Sequence, residues 1–152
     1  MLDKSKIGHK FPPFTVELEK GSLRLFANAI GETNPIYTDE EAAKEAGYRS
    51  LPMPPTYPFQ LGKAIPNPSD TLHLLGLDFS DIVHGAQEFS YHKVICADDV
   101  ITGQKRIVNI YEKKHGTLEF VVVETDFKDQ DGELACQSNQ TIIVIKNRKG
   151  NL

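Results

Sequence analysis

The second half of the chain constrains the fold most. Residues 72–83, 87–94, 100–112, 117–127 and 134–146 are rich in β-branched, aliphatic and aromatic side chains, and they are separated by His84-Gly85, by Ala97-Asp98-Asp99, by 113–116 and by 128–132. Connections that short, with no helical period between them, join antiparallel strands, and Asp131-Gly132 is a strong hairpin signal. A parallel sheet would need a crossover of about a dozen residues at every step. The pattern therefore predicts a meandering antiparallel sheet of five strands.

The first half supplies one more strand and the helices. Phe14, Val16 and Leu18 alternate with Thr15 and Glu17, the period of a half-buried strand, and Pro12-Pro13 hold off any helix before it. Leu23, Phe26, Ala27 and Ile30 then fall at i, i+3, i+4 and i+7, which predicts a helix from Ser22 that Gly31 stops. Thr38 and Glu41 read as the capping box of a surface helix over 39–46, with Gly47 at its end. Pro52, Pro54, Pro55 and Pro58 exclude regular structure over 51–58. Phe59, Leu61, Ala64 and Ile65 predict a helix with Pro58 in its first turn, ended by Asn67-Pro68-Ser69-Asp70, and residues 57–65 are the apolar segment expected to cover the inner face of the sheet. The fold class expected is α+β. A long strand such as 119–127 is expected to leave a sheet edge open for a second subunit, and residues 146–152 read as a frayed polar tail.

Composition narrows the chemistry. A chain of 152 residues, 39% of them hydrophobic, can bury a single-domain core without staples. Cys96 and Cys136 match no metal-ligand spacing and read as reduced thiols, a disulfide between them being the alternative. A formal net charge of -4 argues against nucleic acid as a partner. No apolar run reaches the roughly 20 residues that span a bilayer, and the polar start of the chain does not resemble a signal peptide, so no membrane association and a cytoplasmic location are expected. His9, His73, His84, His92 and His115 form no metal-ligand pattern, and neither a phosphate-binding glycine loop nor a nucleophile elbow is present, so no metal and no cofactor are expected.

Between the first two helices lies Gly31-Glu32-Thr33-Asn34-Pro35-Ile36-Tyr37, followed by Asp39 and Ala42. By itself this is a helix stop and a turn fixed by Asn34-Pro35. It also resembles the G-D-x-N-P-[IL]-H-x-D-x-x-A signature of the MaoC-like (R)-specific enoyl-thioester hydratases and dehydratases. Two further stretches, Met53-Pro54-Pro55-Thr56-Tyr57-Pro58 and His84-Gly85-Ala86-Gln87-Glu88-Phe89-Ser90-Tyr91-His92, are similar to the A-P-P-T-F-P and H-G-x-Q-E-F-x-Y-H stretches of one branch. That branch holds the N-terminal MaoC-like dehydratase domain and the substrate-holding subunit of heteromeric (3R)-hydroxyacyl-carrier-protein dehydratases. The resemblance implies a hot-dog fold, an antiparallel sheet wrapped around a central helix.

It also implies a reaction, the syn addition or removal of water across the α,β double bond of an acyl thioester. In catalytic members the signature's Asp and His carry the protons; here those positions read Glu32 and Tyr37. A glutamate keeps a carboxylate on a longer stem. A tyrosine, with an unperturbed pKa near 10, makes a poor general base where histidine titrates near 6.5. Asn34, Met53, Tyr57, Phe59, His84 and Gly85 are the substrate-binding candidates that follow from the matched stretches, with the region of Gly85 offering backbone donors to a thioester. Two readings stand at this point. One is a hydro-lyase acting on 3-hydroxyacyl or 2-enoyl thioesters of coenzyme A or acyl carrier protein, and active with a catalytic hot-dog partner. The other is a noncatalytic module that holds acyl chains or stabilises its partner, as homodimer or heterodimer.

Overall fold

The computed structural model describes residues 1–64, 66–115 and 117–145. Strand β1 (Phe14–Glu17) leads into helix α1 (Lys20–Ala29), short helices α2 (Glu40–Glu45), α3 (Pro58–Leu61) and α4 (Asp70–Leu75), and then strands β2 (Ile82–Tyr91), β3 (Val100–Lys113), β4 (Leu118–Lys128) and β5 (Leu134–Ile145). The five strands form one antiparallel sheet in the order β1-β3-β4-β5-β2. The fold class is thus α+β, as expected. The meander is confined to β3-β4-β5, because β2 lies beside β5 and not beside β3.

Several sequence expectations change. Residues 72–83 are not a strand: α4 occupies their start, a 3₁₀ turn covers Phe79–Asp81, and the strand begins only at Ile82. Leu72 is buried, Leu74 and Leu75 pack on the core, and Gly76 closes the helix in the left-handed region at φ 64°. A short apolar run of this kind suits helix and strand equally, and here the glycine stop decides. His84-Gly85 does not separate two strands either; it lies inside β2, where the register against β5 shifts between His84 and Ala86. The cap of α2 is Asp39 rather than Thr38, its carboxylate accepting from the amides of Glu41 at 2.8 Å and Ala42 at 3.0 Å. The helix expected over 57–65 is a single turn, α3, followed by a 3₁₀ turn at Gly62–Ala64, with Ile65 outside the described residues. Residues 146–152 are outside them as well. The long strand 119–127 belongs to the central β4, so the open edges are those of β1 and β2.

The inner face of the sheet carries two apolar clusters. Phe14, Leu18, Leu23, Leu61, Ile101 and Phe127 belong to the first, which draws α1 and α3 onto one end of the sheet. Phe11, Ile107, Val121, Val123, Ile142 and Val144 belong to the second, with Leu74 and Leu75 of α4 against it. Cover is therefore shared among helices instead of resting on one. The opposite face is polar: Arg106 pairs with Glu124 and, at 2.8 Å, with Asp126, which also accepts from Gln137 at 2.7 Å. Among the described residues no helix is long and apolar enough to cross a membrane, and Cys96 and Cys136 are both buried free thiols.

Gly103 shows how tightly β1 closes on β3. It faces Phe14 across the ladder, and a Cβ at that position would overlap the Phe14 ring, itself 6% exposed and unable to swing away. Gly103→Ala is expected to lower unfolding stability by about 1–3 kcal/mol, read from the urea midpoint at unchanged slope.

Candidate functional site

The loop after α1 is built by backbone and side-chain hydrogen bonds in sequence. Gly31, at φ 73°, gives its amide to the Asn28 carbonyl at 3.1 Å, and the Glu32 amide reaches the Ala27 carbonyl at 2.9 Å, a Schellman closure that requires the left-handed glycine. The Glu32 carboxylate folds back and accepts from the amides of Thr33 and Asn34, both at 2.9 Å. Asn34 accepts from Ile36 at 3.2 Å and opens the 3₁₀ turn Pro35–Tyr37. From α1, Arg24 donates to the Thr38 carbonyl at 2.8 Å and to Glu40 at 3.1 Å, while Lys20 pairs with Glu40 at 3.0 Å. The loop is fixed from both ends.

Its product is the placement of Tyr37. The half-buried ring lines a cavity of about 360 Å³ together with Tyr48, Pro52, Met53, Tyr91, His92 and Ile95. The opposite wall is the segment that carries the chain from β2 to β3. There Met53 donates its amide to the Ile95 carbonyl at 2.8 Å, Ala97 donates to Leu51 at 2.8 Å, and the Tyr91 hydroxyl donates to the Pro55 carbonyl. Asp99, 3% exposed, holds the turn below by accepting from the Cys96 amide at 2.8 Å and pairing with Arg49.

Tyr37 and Met53 thus share one cavity. Tyr57 lies elsewhere, in a groove with Phe26, whose ring stands edge-on at 5.1 Å. Phe59 lines a third cavity, of about 250 Å³, between the sheet and the α3–α4 region. Its ring meets that of His84 edge-on at 5.8 Å, and His84 Nδ1 lies 3.2 Å from Gln140 Nε2. Glu32 and Asn34 face their own loop. The absence of a side chain at Gly85 has a packing cause, because a Cβ there would come within 2.7 Å of Ile143 Cγ1. Tyr48, Tyr91 and His92 join the Tyr37 cavity although none is among the site candidates from the sequence; Tyr91 and His92 end one of the stretches that carry the resemblance, whereas Tyr48 follows Gly47 in no pattern.

Such a cavity can hold apolar chain and offer phenol hydroxyls, but it is poorly equipped to move protons. One oxygen of Glu32 is already taken by two amides. The Tyr37 phenol is pushed above its ordinary value, first by burial and then by the negative charge of Glu32, so it stays protonated at neutral pH. Among the described residues no three His, Cys, Asp or Glu side chains converge as metal ligands.

The family described as "FAS1-like, dehydratase domain region" matches residues 5–138. The chain belongs to that family. It is 37% identical over 138 residues to a UPF0336 protein of Streptomyces avermitilis, covering 87% of both chains. Among solved structures it is similar to the C-terminally truncated HadBC (3R-hydroxyacyl-ACP dehydratase) complex from Mycobacterium tuberculosis, with a TM-score of 0.76, 26% identity, and coverage of 91% of this chain and 96% of that one. A second structure, named as a MaoC-like dehydratase, superposes with a TM-score of 0.84 at 20% identity over 94% of this chain and 43% of the other. The family match gives the kinship to a dehydratase domain region, and the α+β hot-dog architecture follows from the structural matches, the one named as a MaoC-like dehydratase included.

Two outcomes test the geometry of the loop. Glu32→Ala removes the acceptor of two amides, and is expected to speed hydrogen exchange at Thr33 and Asn34 by about tenfold, one charge-assisted hydrogen bond's worth after allowance for exposure. The pH profile tests Tyr37. Because the folded state holds its phenol above the unfolded value of about 10, the stabilising preference for the neutral form is intact below that pH and is lost as the pH rises through the folded value. Tyr37→Phe is expected to shrink, in alkaline denaturation, the loss of stability above pH of about 10, leaving the part due to other groups that burial raises in the same direction, among them Tyr57, Tyr91 and the thiols of Cys96 and Cys136.

Proposed function

We propose that this chain is a single hot-dog domain serving as the substrate-holding half of a (3R)-hydroxyacyl-thioester dehydratase, paired with a second hot-dog subunit that carries the catalytic Asp and His. One observation carries the reading: on the loop where related enzymes hold an acid-base pair, Glu32 is bound to its own backbone and Tyr37 is a phenol kept neutral by burial. Proton transfer by a positioned group contributes about 100- to 10,000-fold to such reactions, and neither residue is placed to supply it. The scaffold around them is complete, with Asn34 capping the turn and Arg24 tying it to α1.

Two further points support the pairing. The HadBC structure similar to this chain is, by its name, a complex of hydroxyacyl-carrier-protein dehydratase subunits. Strand β2 is an open edge ten residues long, and exposed Tyr91 and partly exposed Phe89 pack against one another there with ring centroids 6.3 Å apart. Such an edge pairs readily with another strand. On this reading the ligand is an acyl thioester of coenzyme A or acyl carrier protein, and the cytoplasm is where the chain meets it.

Restoring the pair is the test. Glu32→Asp with Tyr37→His, on a loop whose hydrogen bonds already fix its shape, is expected to raise hydration of crotonyl-coenzyme A by about 100-fold over the wild-type chain, measured by loss of enoyl-thioester absorbance. An inert double variant that also fails to bind acyl thioester at millimolar concentration overturns the assignment of an acyl site.

A further inference from the structure

The two apolar clusters of the sheet do not meet. Along β3 the inward residues run from Ile101 to Ile107 through Lys105; along β4, from Phe127 to Val123 through Thr125; along β5, from Cys136 to Ile142 past Ser138 and Gln140. Lys105 faces Thr125 across one ladder and Thr125 faces Ser138 across the next, so the polar residues form a band across the concave face. Lys105 is 5% exposed, Thr125 7% and Ser138 8%. The band, with Gln87 of β2, lines the 250 Å³ cavity that Phe59, Leu72 and Ile82 close with apolar surface.

Two polar atoms there are left over. Lys105 Nζ stands 4.2 Å above the Phe11 ring, and among the described residues no carboxylate comes within 4.0 Å of it. Burial pulls its pKa down, and the negative charge of Asp70, at the start of α4, acts against that. Gln87 gives its amide nitrogen to Ser138 Oγ at 2.7 Å and to the Asn139 carbonyl at 3.3 Å. A carbonyl can only accept, which fixes the orientation of the amide and leaves Gln87 Oε1 buried with no hydrogen-bond partner. A cation on a side chain only 5% exposed, and a buried acceptor without a donor, are both costly unless something pairs with them. Methylene groups alone would satisfy neither.

We propose that this cavity receives the distal part of an acyl chain that carries an oxygen function, a hydroxyl, keto or carboxylate group, and that Lys105 donates to that oxygen. The proposal rests on the acyl-thioester reading above and adds to it a preference for oxygenated over plain alkyl chains. A hydroxyl, a keto oxygen and a carboxylate can each accept from the Lys105 ammonium, which lines the cavity. A water's share of liquid volume is about 30 Å³, so the cavity has room for several carbons and their oxygen.

The test compares three thioesters of equal length, octanoyl-, ω-hydroxyoctanoyl- and octanedioyl-coenzyme A, by calorimetry with the full chain. The wild type is expected to bind the two oxygenated ligands at least about tenfold tighter than the alkyl one, and Lys105→Met to abolish that preference while leaving octanoyl binding unchanged or improved. Lys105→Met is also expected to raise the melting temperature, since it removes a buried charge. Equal affinity for all three ligands, a preference that survives Lys105→Met, or a melting temperature lowered by that variant would each overturn the proposal and leave the band a structural feature. Failure of all three thioesters to bind would instead sink the acyl reading beneath it; free octanedioate against octanoate then repeats the comparison at the cavity itself, and equal affinity there overturns the proposal too.

Discussion

The position of β2 determines most of what this molecule can do. Because β2 hydrogen-bonds to β5 at the far side of the sheet, the chain must return across to reach β3. Residues 92–99 make that crossing, and their buried Ile95, Cys96 and Ala97 dock against Leu51, Pro52 and Met53 through a short backbone ladder. Asp99 locks the turn at the end of it, its carboxylate desolvated but satisfied by an amide and a guanidinium. A buried carboxylate without such partners would be strongly destabilising. The wall opposite Tyr37 exists because of this crossing, so topology creates the cavity and the loop after α1 only furnishes it.

On the proposed reading the loop keeps its scaffold and leaves the chemistry to a partner. Every element that shapes it is present: the left-handed Gly31, the Asn34 cap, the Arg24 tether and the Asp39 cap. At the two positions that would move protons the environment works against transfer, because Glu32 is anchored to two amides and half-buried Tyr37 has its phenol raised by burial and by that same negative charge. Retained geometry with lost reactivity is what a holding subunit requires of a fold shared with a catalytic one. The proposed role of the polar band beneath the helices extends this division of labour, since a subunit that leaves proton transfer to a partner can still choose its ligand.

Much of this was legible in the sequence wherever one residue fixes one local conformation. The stripe of Leu23 and Ala27, the stop at Gly31 and the turn at Asn34-Pro35 appear where the pattern puts them. The run 72–83 has the composition of a strand, yet Gly76 in the left-handed region closes a helix over its start, and Leu74 and Leu75 pack on the cluster that holds Ile107. Gly85 looked like a break between strands, yet it serves a bulge within one, forced by the nearness of Ile143 from a strand almost sixty residues later. Met53, Tyr57 and Phe59 sit close in sequence, but the single turn of α3 and the bends around it send them into three different cavities. Lys105 stands in the same alternating set as Ile101 and Ile107, so the period of the strand turns a charge inward.

The central claim is that this chain holds substrate and leaves proton transfer to a partner. It is tested most directly by steady-state dehydration of a (3R)-hydroxyacyl thioester, measured for the purified chain alone and then with increasing amounts of a hot-dog subunit that has an intact Asp and His loop. The account predicts no more than about a hundredth of the mixed rate from the chain alone, and a rate in the mixture that saturates at equimolar subunits. Robust turnover by the chain alone, abolished by Glu32→Gln, would contradict it and make Glu32 the base.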